Sequence, residues 1–209
     1  YALTDAEIAL ACASHSGEPR HAALSAQMLA KTGHDENCLE CGAHWPSDAE
    51  FARALARNGQ TPSALHNNCS GKHAGFVCQA CGNGEDPKNY ITPDHPVQKR
   101  VRRALEEMTS ETFSSALTGI DGCSIPTYAI PLSSMARGFA RFGTGEKLDT
   151  TRAHAAVRIR KAVAANPDMV AGVGRVDTVI MTALRERAFV KTGAEGVYCG
   201  ALPELGLGF

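Results

Sequence analysis

Apolar residues recur at helical spacing along the first two thirds of the chain, and polar start and stop signals divide this pattern into segments. Thr4 and Glu7 form a capping-box pattern that opens the first predicted helix. A second helix is predicted from about His21 to Thr32. It ends before Gly33, because glycine readily takes the left-handed conformation that closes a helix.

Five further helices are predicted from the same signals. Ser47 and Glu50 form another capping-box pattern, for a helix that ends near Gly59. Asp94, with Pro96 just inside, opens an amphipathic helix whose apolar face contains Val97, Val101, Leu105 and Met108. The remaining helices are predicted at residues 132–142, 150–165 and 175–187.

Strand-like patterns are fewer and come later in the chain, at residues 125–130, 188–191 and 197–202. The last two flank a short link that contains Gly193 and Gly196, which is typical of a hairpin. Helices followed by a late hairpin predict an α+β fold, with helices packed on an antiparallel sheet.

Composition narrows the possible partners. Lysine and arginine number 21 and aspartate and glutamate 22, so no excess charge favours nucleic acid or an anionic membrane. The apolar stretches are shorter than the roughly 20 residues that span a bilayer. With 44% hydrophobic residues the chain can bury a substantial core. We therefore expect no nucleic acid and no membrane partner, and a small, near-neutral substrate.

The two ends of the sequence suggest a fragment. The chain begins with Tyr1 and enters the capping box at once, and it ends at Phe209 in an apolar, strand-like segment. We expect residues 1–209 to form one catalytic domain that is partial at both termini. Composition leaves the state of the eight cysteines open, and a core of this size favours free thiols in a reducing, cytoplasmic compartment.

Four segments concentrate polar and reactive side chains at glycine-containing turns. The richest is residues 66–76, HNNCSGKHAGF, which we interpret as a turn before an apolar run. The second, residues 118–128, places Asp121 and Cys123 in a glycine-rich turn that lets the backbone approach a ligand closely. The other two are residues 13–18, between two predicted helices, and residues 191–196, at the predicted hairpin.

Taken in order, these four segments resemble a family of serine-type, zinc-containing L-asparaginases, and the run NNCSGKHAGF carries most of the likeness. The resemblance covers essentially the whole chain. It implies a fold like that of serine β-lactamases and penicillin-binding proteins. It also implies hydrolysis of L-asparagine to L-aspartate and ammonia, and a homodimer.

The resemblance further implies a zinc site built from Cys69, Lys72 and Cys123. The chemistry is consistent, because two thiolates and one neutral amine balance Zn²⁺ and leave a fourth position open. Asp121 is then expected to hold a metal-bound water from outside the ligand shell.

A serine nucleophile assisted by lysine is also implied, with Ser14 and Lys191 at the matching positions. Lysine acts as a base only where desolvation or a neighbouring cation lowers its pKa. His73 and Asn68 are candidates for hydrogen bonds to the substrate or to the bound water.

The sequence departs from the family pattern at one point. The family carries a further Ser-x-x-Lys pair near its N-terminus, and none of the twelve serines here has lysine three positions later. We expect that pair to precede Tyr1. Three alternatives stay open: a zinc-bound water as nucleophile, a β-lactam-reactive serine enzyme, and a non-catalytic zinc module built on Cys38-x-x-Cys41 and Cys78-x-x-Cys81.

Overall fold

The computed structural model describes residues 2–209, apart from the side chain of Ala116. This part of the chain contains nine α-helices: α1 (Asp5–Ala11), α2 (Pro19–Ala30), α3 (Ala49–Arg57), α4 (Ser70–Gly82), α5 (Pro96–Thr109), α6 (Leu132–Thr144), α7 (Thr150–Ala165), α8 (Pro167–Val170) and α9 (Val176–Leu184). Over the same residues, no helix is both long enough and apolar enough to cross a membrane.

Five short strands within residues 2–209 form two antiparallel sheets. Strands β1 (Thr118–Ile120) and β2 (Pro126–Tyr128) pair as a small hairpin. Strands β3 (Phe189–Thr192), β4 (Tyr198–Leu202) and β5 (Leu207–Gly208) form a sheet in the order β3-β4-β5. The late hairpin is therefore confirmed, and so is the α+β class.

Helix α1 lies between two hydrophobic clusters. Leu10, fully buried, belongs to a cluster that α2 and α4 complete with Met28, Leu29 and Val77. Ala9, its neighbour, belongs to a second cluster, which includes Val163, Met181 and Phe189 and joins the helices to the three-stranded sheet. Since both faces of α1 are packed, the residues that directly follow it are held rigidly.

Helix α4 corrects the prediction of a turn at residues 66–76. The turn ends at Cys69, and the helix begins at Ser70, so Lys72 and His73 lie in its first turn. The helix crosses α1 closely: a Cβ on Gly71 would lie 2.4 Å from both Cγ and O of Leu10. Serine and glycine are poor helix formers, so this helix depends on tertiary packing more than on local propensity.

Several boundaries also differ from the sequence pattern. Asp48, not Ser47, caps α3, because its side chain accepts from the backbone N–H groups of Glu50 and Phe51. His95, not Asp94, caps α5, through its side chain and the N–H of Val97. Helix α9 ends at Leu184, before the predicted residue 187, because Arg185 takes a φ of 52°. Leu105, predicted on the apolar face of α5, is 40% exposed.

Candidate active site

One cavity of about 850 Å³ is lined by residues from all four segments that the sequence singled out. Seven of the eight predicted site residues line its wall: Ser14, Asn68, Cys69, Lys72, Asp121, Cys123 and Lys191. These residues are up to 177 positions apart in sequence, so the tertiary fold creates their proximity.

Ser14 lies in the extended link directly after α1. Its backbone N–H donates to the carbonyl of Val170 over 3.0 Å. Its hydroxyl accepts from Asn68 Nδ2, also over 3.0 Å. Because the hydroxyl accepts in this contact, its own proton is available to a base.

Asn68 is itself held in place on two sides. Its backbone carbonyl accepts from the N–H of His15 over 3.0 Å, and its backbone N–H donates to Nε2 of His44 over 3.0 Å. His44 Nδ1 lies 2.8 Å from the carbonyl of Trp45, which requires a proton on Nδ1. Nε2 lies 3.0 Å from both the backbone N–H and the side-chain Oδ1 of Asn68, and with the proton on Nδ1 it accepts from the backbone N–H.

Lys191 extends from β3 into the same cavity and is half-buried. Its ammonium group donates to the carbonyl of Thr192. Desolvation lowers the pKa of Lys191, although the negative charges of Asp177 and Cys69 oppose the shift. Among the described residues, no hydrogen bond joins Lys191 to Ser14. The structure therefore brings the two predicted catalytic residues to one cavity without direct contact.

Asp177 fixes the backbone next to Lys191. This carboxylate is buried on α9 and accepts from the backbone N–H of Thr192 over 2.7 Å. The hydroxyl of Thr192 lies 2.9 and 2.7 Å from its two oxygens. The carboxylate thus ties α9 to the end of β3 and orients the strand from which Lys191 extends.

The thiols and the lysine amine meet at the start of α4. Lys72 Nζ lies 3.2 Å from Cys123 Sγ. The Cys123 thiol lies 3.3 Å from Asp121 Oδ2, which is also 3.8 Å from Lys72 Nζ. Cys69 and Cys123 are free thiols, and each influences the pKa of the other. The site thus holds two sulfurs and one amine nitrogen, with a carboxylate beside them.

One of the two thiols ionises before the other. Interaction with the Cys123 thiol and the positive charge of Lys72 outweigh burial and lower the pKa of Cys69 to about 6. Interaction with Cys69, together with desolvation, raises the pKa of Cys123 to about 12. A thiolate on Cys69 beside a thiol on Cys123 is the charge state that these shifts favour.

His73 does not line the cavity. It is fully buried, its Nδ1 lies 2.6 Å from the hydroxyl of Tyr90, and its ring packs edge-on against Phe76. Its Nε2 has no hydrogen-bond partner among the described residues. Interaction with Cys123 opposes the desolvation that lowers the pKa of His73. From this position His73 influences Cys123 from the buried side of the site. The position does not support the predicted direct contact with substrate.

Several cavity residues were missed by the sequence analysis, among them His44, Trp45 and Arg175. The loop that carries Trp45 and Pro46 packs on the link after Ser14: a Cβ on Gly17 would lie 3.1 Å from Pro46. Neither His44 nor Trp45 belongs to a recognisable motif. Trp45 is the only tryptophan in the sequence and is 47% exposed, a weak signal of a surface role.

The two Cys-x-x-Cys pairs do not converge on one centre. The thiol of Cys41 points to the carbonyl of Ala64, at 3.7 Å, whereas that of Cys81 lies 3.9 Å from Nδ1 of His34. Within residues 2–209, no group of three or more histidine, cysteine, aspartate or glutamate side chains is placed to hold a metal ion. The non-catalytic four-cysteine module therefore has no support in this geometry.

Fold and site together define an α+β protein whose cavity combines a serine, a half-buried lysine and a pair of thiols. The model of the family described as L-asparaginase II matches residues 1–209, and the chain belongs to that family. Among the curated proteins, none matches the chain. Membership of this family indicates an amidohydrolase that acts on an asparagine-like small molecule.

Proposed function

We propose that this chain forms the active site of an L-asparaginase that hydrolyses L-asparagine to L-aspartate and ammonia. The observation that carries the proposal is the cavity that Ser14 and Lys191 line together, in a chain of the L-asparaginase II family. Ser14 is the nucleophile and Lys191 the base. Burial that lowers the pKa of Lys191 supports this role, because only a neutral amine accepts a proton.

The reaction divides into two halves. Ser14 Oγ bonds to the carboxamide carbon and its proton passes to Lys191, giving a tetrahedral oxyanion. The carbon–nitrogen bond then breaks, the nitrogen takes the proton from Lys191, and ammonia leaves. Water adds to the resulting aspartyl ester and gives its proton to Lys191. The ester bond breaks, aspartate is released and Ser14 regains its proton.

Zinc is the cofactor that we propose for the site, with Cys69, Lys72 and Cys123 as its ligands. The donor set supports this, because two sulfurs and an amine nitrogen already lie together. The pKa values of Lys72 and Cys123 are raised, so the ion would have to displace their protons. The ion would supply positive charge that polarises a bound carbonyl group. Asp121, 3.3 Å from the Cys123 thiol, and His73, which interacts with Cys123, would orient the ligands. Asn68 would orient Ser14.

A serine β-lactamase-like fold and a homodimer stay predictions that rest on the resemblance alone, and a cytoplasmic location stays a prediction from composition.

The proposal is tested by replacing Ser14 with alanine. We expect turnover of L-asparagine to fall by about 10³-fold or more, as for other lost nucleophiles. Acid quench of the unmodified enzyme with substrate should leave an aspartyl ester on the peptide that contains Ser14, detectable by mass spectrometry. Ser115→Ala, at an exposed serine outside the cavity, is the matched control. Full activity in S14A, or turnover without an acyl-enzyme, would instead support a metal-bound water as nucleophile.

A further inference from the structure

Three cationic side chains line the cavity, and they differ in what they contact. Lys72 faces the thiol of Cys123 and the carboxylate of Asp121. Lys191 donates to a backbone carbonyl and interacts with Asp177. Arg175 is half-buried at the cavity wall, and its guanidinium makes neither a hydrogen bond nor an ion pair with any described residue. Its five N–H donors are therefore available to a ligand.

The loop before Arg175 is attached to the segment that carries Ser14. Backbone N–H groups of Ser14 and Ser16 donate to the carbonyls of Val170 and Ala171, over 3.0 and 2.8 Å. From the other side, Glu18 Oε1 accepts from the backbone N–H of Val173 over 2.8 Å. These contacts hold the backbone on the N-terminal side of Arg175 in a defined position relative to the nucleophile.

Gly172 allows this close approach. It takes a φ of 130°, and a Cβ there would lie 2.1 Å from Ser16 Oγ and 2.6 Å from Glu18 Oε1. Helix α9 begins directly after Arg175, and the hydroxyl of Thr178 in its first turn donates to the carbonyl of Gly172 over 2.6 Å. Arg175 thus extends from a loop that is constrained at both ends, as a binding residue requires.

We infer that Arg175 binds the α-carboxylate of the substrate. The inference rests on the proposed function and adds the part of the substrate that is recognised. Lys72 is paired with Asp121 and Lys191 serves as the base, so Arg175 is the side chain at the cavity wall whose positive charge is left for an anionic group of the ligand. A guanidinium pairs with a carboxylate through two parallel hydrogen bonds.

The test compares two substrates that differ only at the α-carboxyl group: L-asparagine and L-aspartic acid diamide, in which that group is capped as a neutral amide. Loss of a charge-assisted hydrogen-bonded pair should lower kcat/KM about 10- to 100-fold. We expect Arg175→Met to lower kcat/KM for L-asparagine by that factor, mainly because KM rises. On the diamide, measured by release of the α-amide product, the variant and the unmodified enzyme should be within about 3-fold of each other. Arg175→Lys should be intermediate on L-asparagine.

Arg103→Met is the matched control, because Arg103 is exposed and lies outside the cavity wall. Equal losses on both substrates in R175M, or no loss on either, would overturn the inference, since a residue that only maintains the loop does not distinguish the two. An unmodified enzyme that is folded and turns over neither substrate would instead refute the proposed function, and the inference with it. Thermal unfolding of each variant identifies losses caused by misfolding.

Discussion

The side-chain amide of Asn68 donates to the hydroxyl of Ser14 over 3.0 Å, across 54 residues of sequence. Asn68 is the residue before Cys69, so one short turn orients the proposed nucleophile and supplies the first of the two thiols. The position of Ser14 and the geometry of the thiol site are thereby coupled through adjacent residues of one backbone.

Removal of this amide should slow catalysis without preventing folding. We expect Asn68→Ala to lower kcat for L-asparagine about 10- to 100-fold, because one oriented hydrogen bond to the nucleophile is lost. The comparison is with Asn58→Ala, whose side chain is exposed at the end of α3. An unchanged kcat in N68A would mean that the contact is incidental.

The zinc proposal predicts metal content that depends on two particular cysteines. Elemental analysis of the purified protein should find one zinc per chain, and both Cys69→Ser and Cys123→Ser should lose it. Cys81→Ser, which changes a thiol in one of the Cys-x-x-Cys pairs, is expected to retain the metal. Zinc that persists in both site variants and disappears in C81S would place the metal elsewhere.

Asp177 should contribute to stability as well as to the position of β3. In Asp177→Asn a buried acceptor that receives hydrogen bonds from Thr192 becomes partly a donor. We expect the free energy of unfolding, measured in urea, to fall by about 1–3 kcal/mol. The same change at Asp94, whose side chain is fully exposed, should have little effect. Equal stabilities for the two variants would contradict this role.

Glu7 gives the stability of the fold a defined pH dependence. Burial alone would raise the pKa of this carboxyl, but hydrogen bonds from Lys31 and Thr4 outweigh burial and lower it. The pKa of Glu7 is lower in the folded protein than in the unfolded one. Its ionised carboxylate therefore stabilises the fold above the unfolded pKa, and this stabilisation is lost as the pH falls through the folded pKa.

We therefore expect Glu7→Gln to be less stable than the unmodified protein by about 1–2 kcal/mol at pH 7. The gap should narrow as the pH falls below about 4, the range in which glutamate takes up its proton. Urea unfolding of both proteins at pH 7 and at a pH below about 4 measures this difference in stability. A gap of the same size at both would show that the charge of Glu7 is unimportant.

Gly71 should tolerate no side chain, because a Cβ would overlap Leu10 where α4 crosses α1. We expect Gly71→Ala to lower the unfolding free energy by about 1–3 kcal/mol despite the better helix propensity of alanine. At Gly119 the nearest atom to a new Cβ is 3.5 Å away, so Gly119→Ala is the matched control. A G71A protein as stable as the unmodified one would mean that the helices separate easily.

Local signals predicted much of the secondary structure. Helix α7 spans Thr150–Ala165, as predicted, and the capping box at Thr4 and Glu7 is formed. The antiparallel pairing of β3 with β4 also agrees with the predicted hairpin. These features depend on contacts between residues that are close in sequence, which a pattern of residue types records directly.

The start of α4 was misread because its stability comes from distant residues. Its first residues resemble a turn, and packing of Gly71 against Leu10 makes them helical. Arg175 was read only as the start of a helix, although the structure places it at the cavity wall. Nothing near Arg175 in sequence indicates that the cavity lies beside it.

The sequence by itself determined the α+β class, most of the helices and the residue types that carry the chemistry, since caps, periodicity and reactive motifs are local. The tertiary structure decided that Ser14, Asn68, Cys123 and Lys191 line one cavity, that His73 lies behind it, and that Arg175 faces it without a partner among the described residues. The physical reason is that these relationships depend on how the two hydrophobic clusters pack around α1, and packing between distant segments leaves no periodic signal in the chain.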